Sequence, residues 1–240
     1  SWLDEMPAVD LAERLIGGIT TSEIPVGPYA SLKRYLAPYN FVIPPLPSTQ
    51  CTRDTTCWIY NGVTVNPMYW PAPRQETLLA TAIYKFHPAF KGGDFSIWWG
   101  DPDIDHQMAT LEGGDVMPIG KGIVLIGMGE RTTPQAVAQV AKALFAKEAA
   151  TRVIGCAFPK SRSAMHLDTV FTMCDRDLVN VYEDGVNSIR PFSFYPGKRA
   201  GEIEVIPEDQ SFLDVVCDAL ELKKLRIVST GGDIFEQERE

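Results

Sequence analysis

Three stretches of the chain repeat one order of elements, and this recurrence limits the fold more than any other feature. The first opens with Thr52-Arg53-Asp54, runs through Thr56-Cys57-Trp58-Ile59-Tyr60 to a turn signal at Asn61-Gly62, and resumes as Val63-Thr64-Val65. Residues 74–86 follow, with Leu79, Ala82, Ile83 and Phe86 at helical spacing. Two β-rich runs joined by Asn-Gly make a hairpin, and apolar residues every three to four positions make an amphipathic helix. The same order returns as Glu112-Gly113-Gly114-Asp115, a strand over 116–119, a turn at Gly120-Lys121-Gly122, a strand over 123–126 and a helix from Pro134. Gly62 and Met68 are spaced as Gly122 and Met128 are. Thr133 is placed to cap that helix, Pro134 suits its first turn, and Val137, Val140, Ala141, Leu144 and Phe145 form its apolar stripe. A third copy opens with His166-Leu167-Asp168, continues to Met173, turns near Asp175-Arg176-Asp177 and resumes as Leu178-Val179-Asn180-Val181.

Ile97-Trp98-Trp99 and residues 153–157 read as buried strands, each following a helix. Ser211 is placed to cap a helix with Phe212, Val215, Val216 and Ala219 inward, before a strand over 225–228. Such units cannot bury their faces alone, so the expected class is an α/β protein built by radial repetition. The first forty residues differ in texture. Leu11, Leu15 and Ile16 follow a helical rhythm, and Tyr29, Leu32, Tyr35 and Leu36 suggest a second short helix ending at Pro38. Pro44-Pro45-Leu46-Pro47-Ser48 reads as a stiff extended hinge, which places a domain boundary between 1–40 and 41–240.

Composition narrows the function. A chain of 240 residues that is 45% hydrophobic can bury a core, which excludes intrinsic disorder. A formal charge of -9 argues against nucleic acid or an anionic membrane surface as partner. A small, cationic substrate suits it better. No stretch has the roughly 18 consecutive apolar residues of a membrane helix, and Ser1-Trp2-Leu3-Asp4-Glu5 lacks the regions of a signal peptide, so the expected setting is the cytoplasm. Five cysteines without a CxxC pair favour free thiols over disulfides or a zinc site. The chain starts without Met and stops just after Gly231-Gly232-Asp233, so it is expected to be a piece of a longer one.

The residues that open each unit carry the chemistry: Arg53 and Asp54, then Glu112 and Asp115, then His166 and Asp168. Singly, each has a plain reading. Asp54 and Asp168 could make Asx-turns, Gly113-Gly114-Asp115 could be a loop, and His166 could be a bonded core residue. Joint recurrence at matching places favours a shared cavity. Two inward carboxylates can chelate a planar guanidinium through parallel charge-assisted hydrogen bonds. Glu112 and His166 suit proton transfer, since crowding among carboxylates is expected to raise the acid and keep the imidazole protonated. His87 and His106 are expected at the surface; the loop Asp101-Pro102-Asp103-Ile104-Asp105 has His106 where a calcium loop needs glycine. The supply of Asp, Glu and His also leaves a metal-dependent hydrolase open.

Four motifs in order, Cys51-Thr52-Arg53-Asp54-Thr55, Leu111-Glu112-Gly113-Gly114-Asp115, Ile126-Gly127-Met128-Gly129-Glu130-Arg131-Thr132 and Met165-His166-Leu167-Asp168-Thr169, closely resemble those of bacterial arginine deiminase. The resemblance implies a fivefold pseudosymmetric α/β propeller of the deiminase/amidinotransferase type. Residues 1–40 would be the remnant of a helical insertion, and 41–240 an incomplete propeller of about three units. It implies hydrolysis of L-arginine to L-citrulline and ammonia through a cysteine thiouronium intermediate, without a cofactor. By motif, Asp54 and Asp168 bind the guanidinium, Glu112 and His166 transfer protons, and Arg131 holds the substrate carboxylate. Asp115 supports the site electrostatically, and Arg53 belongs to the substrate-binding set.

The chain also departs from that family. The family's nucleophilic cysteine lies in a glycine- and histidine-rich loop that these residues do not contain, and none of the five cysteines matches it. On this reading the chain is inactive as it stands. Ser48 replaces an expected asparagine, Cys51 a phenylalanine that packs on the substrate, and Pro73 an arginine that helps hold the carboxylate. Each charge-assisted bond lost with that arginine is worth about 1.5 to 3 kcal/mol. The rival reading is a noncatalytic deiminase-like binding or assembly protein. Open strand edges and apolar faces of an incomplete ring would invite association of copies.

Overall fold

The computed structural model describes residues 2–25, 35, 37–162 and 164–229. The N-terminal region carries α1 (Ala8–Gly17), which buries none of its residues, then β1 (Ile19–Thr20) paired antiparallel with β2 (Phe41–Ile43). The proline hinge follows β2, and Leu46 N–H donates to Ile16 O at 2.9 Å, tying it to the end of α1. The helix expected from Tyr29, Leu32 and Leu36 lies outside the described residues, as does the turn at Gly231-Gly232-Asp233.

The first repeat folds as α2 (Thr52–Thr55), β3 (Thr56–Ile59), β4 (Gly62–Val65), α3 (Arg74–Phe86) and β5 (Ser96–Trp99). β3 and β4 are antiparallel, and β5 returns parallel to β4. The hairpin turn falls one residue early: Tyr60 takes the positive φ of 52°, and Gly62 already lies in β4. There a Cβ would come within 2.4 Å of the Trp98 ring, so packing rather than turn geometry calls for glycine. α3 is turned opposite to its apolar pattern. Glu76, Thr77 and Thr81 are buried while Leu78, Ile83 and Phe86 are exposed. The buried hydroxyls are satisfied locally, Thr77 donating to Asn66 O at 2.7 Å and Thr81 to Thr77 O at 2.7 Å.

The second repeat opens with a 3₁₀ turn at Gly113–Asp115, followed by β6 (Val116–Gly120), β7 (Ile123–Met128), α4 (Pro134–Ala146) and β8 (Arg152–Ala157). Thr133 caps α4 as expected, its hydroxyl accepting from Ala136 N–H at 3.3 Å. The strands β7 and β8 are covered on both sides, which suits their nearly continuous apolar sequence. Val124, Ile126 and Val153 face Val137, Val140 and Leu144 of α4, together with Trp98 and Trp99 of the first unit. Ile123, Leu125, Ile154 and Cys156 face the third unit, where Phe171, Phe212 and Val216 complete a second core.

The third repeat has a 3₁₀ turn at Leu167–Thr169, β9 (Phe171–Met173) and β10 (Leu178–Val181). The expected helix does not follow directly. α5 (Glu183–Asn187), β11 (Arg190–Pro196) and β12 (Ile203–Pro207) intervene before α6 (Phe212–Ala219) and β13 (Arg226–Ser229). β13 lies parallel to β10 and completes the unit, and Ser211 caps α6 by accepting from Asp214 N–H at 3.3 Å. β11 crosses back to pair with β8, so the second sheet has five strands in the order β12-β11-β8-β7-β6. Among the described residues, no helix is long and apolar enough to cross a membrane.

Candidate functional site

The three turns that open the repeats abut one another, α2 against the turn at Gly113–Asp115 and that turn against the one at Leu167–Thr169. Two glycines allow the approach. A Cβ on Gly113 would sit 1.8 Å from Arg53 O, and one on Gly114 would sit 2.6 Å from His166 Nδ1. The expected site residues thereby meet although they belong to three sheets.

Glu112 is fully buried at the centre. Its Oε2 accepts from His166 Nε2 at 2.8 Å and from Arg131 Nη1 at 3.0 Å, whereas its Oε1 has no partner. The other imidazole nitrogen, Nδ1, lies 3.9 Å from Asp54 Oδ1, which accepts from Gly114 N–H at 3.3 Å. Asn66 fixes the Asp54 turn by donating from Nδ2 to Asp54 O at 2.9 Å. Behind this layer the buried Asp115 accepts from Thr132 Oγ1 at 2.5 Å and from Leu167 N–H at 2.9 Å. It thus ties the second unit to the turn that carries His166 and Asp168. Asp168 is half-buried, and Arg53 donates to Val116 O at 2.6 Å.

The electrostatics correct one expectation. Crowding does not raise Glu112: burial alone would, but the hydrogen bond from His166 and the Arg131 guanidinium outweigh it and hold the carboxyl below its ordinary range. For His166, burial disfavours the imidazolium, yet Glu112, Asp115 and Asp54 outweigh burial and raise its pKa. The raised acids are others. Burial lifts Asp115 to about 6 and lifts Asp168 as well, with His166 and Arg53 opposing the rise at Asp168. Glu76, in the first turn of α3, is raised by burial and by the charges of Asp54 and Glu112, while the Ser48 N–H opposes the rise. Nothing in the sequence set Glu76 apart, because an acidic residue in a first helical turn is ordinary.

Asp54, Glu112 and His166 offer ligand atoms within 4.8 Å of one another, spacing that could hold a metal ion. Such an ion would displace the bond between His166 Nε2 and Glu112 and compete with a proton that the surrounding carboxylates favour. Of the other histidines, His87 is exposed as expected. His106 is half-buried instead, its ring 4.6 Å from that of Trp99 and its Nε2 3.3 Å from Asp101 O. Lys85 pairs with Asp101 and Asp103, which accounts for two charges of that acidic loop.

All five cysteines are free thiols. Cys57 stands beside the cluster, its Sγ 3.7 Å from the Val116 carbonyl that Arg53 also holds. Burial pushes that thiol up to about 11 and pushes Cys156 up further, so both are neutral. Cys51 is exposed just before α2.

The sequence model for arginine deiminase matches residues 5–240. The folded chain is similar to apo ArgZ, an arginine dihydrolase from the ornithine-ammonia cycle in cyanobacteria, at 15% identity and a TM-score of 0.52, over 80% of this chain and 24% of that one. It is also similar to a mutant of AgrE in complex with L-arginine, at 13% identity and a TM-score of 0.51, over 80% of this chain and 23% of that one. At these identities the likeness concerns the mixed α/β fold, and the chain spans about a quarter of the length of either protein.

Proposed function

As the chain belongs to the arginine deiminase family, we propose that its buried cluster binds the guanidinium of L-arginine and moves protons in its hydrolysis to L-citrulline and ammonia. One observation carries this reading: a fully buried carboxylate, Glu112, has one oxygen bonded to a proton-retaining His166 and the other without a donor. That oxygen is an acceptor for a guanidinium N–H. Asp54 and Asp168 would hold the remaining N–H groups in paired, charge-assisted bonds. Arg131 retains a buried Nε without a partner, a donor for the substrate carboxylate.

In the proposed sequence a thiolate adds to the guanidinium carbon and the C–N bond breaks, with His166 giving a proton to the departing ammonia. Water then adds to the thiouronium carbon, His166 and Glu112 take its two protons in turn, and the C–S bond breaks to release citrulline and the thiolate. Asp115 keeps His166 and Asp168 in place, and Arg53 offsets the charge of Asp168. The thiols of Cys57 and Cys156 are buried and neutral, and none of the five cysteines stands in the nucleophile's motif, so on this reading these 240 residues bind arginine without turning it over. The three units represent part of a fivefold pseudosymmetric propeller, with 1–40 left from a helical insertion and 41–240 forming the incomplete ring. The convergence of three unit openers on one cluster supports that architecture.

Titration calorimetry with L-arginine tests the reading. Binding that is abolished by Asp168→Asn is expected, and no binding to the wild-type chain would overturn it. A colorimetric citrulline assay is expected to show no product; sustained turnover would defeat the claim about the nucleophile. A noncatalytic assembly role is favoured by the outward apolar face of α3, with Leu78, Ile83 and Phe86 exposed. Self-association without arginine binding would select it.

A further inference from the structure

The Asp54 carboxylate is lightly held at its tip, where Oδ1 accepts from Gly114 N–H at a long 3.3 Å and stands 3.9 Å from His166 Nδ1. The backbone of α2 must therefore set its place. That helix is a single turn of four residues without a side-chain cap at its start, too short to hold itself. Its last two carbonyls are both taken by Asn66, which directly follows β4: Nδ2 donates to Asp54 O at 2.9 Å, and the backbone N–H donates to Thr55 O at 2.8 Å. Asn66 is fixed in turn from α3, where Thr77 Oγ1 donates to Asn66 O at 2.7 Å.

The amide of Asn66 stands there against its own energetic interest. The residue is fully buried and its Oδ1 has no partner, a loss of about 1 to 3 kcal/mol for a buried acceptor. Turning the amide over gives no relief, because Oδ1 would then face Asp54 O, acceptor against acceptor. A leucine of similar size would fill the space without that penalty, so packing does not call for an amide. What calls for it is the donor at Asp54 O.

Resting on the guanidino-binding reading, we infer that Asn66 is a positioning residue for guanidinium recognition: by capping the end of α2 it sets the Asp54 carboxylate at its place between Gly114 and His166. The plain alternative, that Asn66 merely joins α2 to α3, would change stability and leave the influence of Asp54 on His166 as it is.

The test is Asn66→Leu, read by calorimetry and by NMR. Calorimetry is expected to show L-arginine weakened at least about tenfold, because a displaced carboxylate loses a charge-assisted bond to the guanidinium. An NMR titration of the His166 ring is expected to show a lower pKa than in wild type, since Asp54 favours the imidazolium. Added to Asp54→Asn, the same substitution is expected to leave that titration unchanged, because the carboxylate it positions is gone. Asn66→Ser, too short to reach Asp54 O, replaces the leucine variant if that one fails to fold, with the same expectations. A folded variant whose His166 titration matches wild type, or falls equally with and without Asp54→Asn, overturns the positioning role. Arginine binding at wild-type strength overturns it as well, whereas lost stability with an unmoved His166 ring selects the plain alternative. Failure of arginine to bind the wild-type chain defeats the guanidino reading instead, and the two His166 titrations, which need no ligand, then decide whether Asn66 sets Asp54.

Discussion

Replacing Asp115 by asparagine removes a buried charge while nearly keeping the shape of the side chain. The carboxyl has no exposure, and burial raises it from an ordinary 3.8 to about 6 against the opposing help of His166, Thr132 and Leu167 N–H. Between those two values the folded protein holds a proton that the unfolded chain has released. Stability therefore falls as pH rises through this window. At about 1.4 kcal/mol per pH unit, a rise from 3.8 to about 6 amounts to about 3 kcal/mol. Asparagine has no such proton, and whatever it gains or loses in hydrogen bonds is the same at every pH. Subtracting wild-type from Asp115→Asn stability should leave a difference that moves about 3 kcal/mol toward the variant between pH 4 and pH 6. Urea unfolding at half-unit steps measures it. His166 faces the carboxyl, but its raised pKa places its titration above this window. A flat difference, or a variant that loses ground as pH rises, would refute the claim that burial dominates at Asp115. In binding a guanidinium near neutral pH the variant is expected to fare worse, because asparagine lacks the negative charge that Asp115 carries above about pH 6.

Glu112→Gln should lower the His166 pKa, since the Glu112 carboxylate favours the imidazolium; an NMR titration of the His166 ring checks the direction. Gly114→Ala would drive a methyl to 2.6 Å from His166 Nδ1, and calorimetry should show arginine binding reduced at least tenfold, with far-UV circular dichroism unchanged. Thr133→Ala removes the cap of α4 and should cost about 1 kcal/mol, read as a lowered midpoint in thermal melts.

Much of this could be read from residues because local signals and the tertiary arrangement agree. Thr133 with Pro134, Ser211 and the Gly120-Lys121-Gly122 turn fall where capping and hairpin chemistry place them. The openers of the three units were visible as a recurrence, and Asp54, Glu112 and His166 do converge. Three things were hidden. β11 begins with Arg190-Pro191 and ends with Pro196, and prolines argue against a strand unless its tertiary neighbours leave those positions unbonded. The orientation of α3 contradicts its apolar pattern, since Thr77 and Thr81 bury hydroxyls that local carbonyls satisfy. The ionisation of Glu112 depends on Arg131, which approaches from a neighbouring loop and leaves no trace in the spacing of the unit openers.

The return of β11 to β8 decides how the molecule comes apart. Chain leaving the third unit is woven into the sheet of the second before it comes back to finish its own with β13. The third unit therefore cannot open as a separate foldon: releasing it strips the β8 edge and exposes Phe194, which packs with Val153 and the α4 side of that core. Slow amide exchange in β8, β10 and β11 should collapse together under mild denaturant. The first unit, with its own three strands, is free to exchange on a faster schedule.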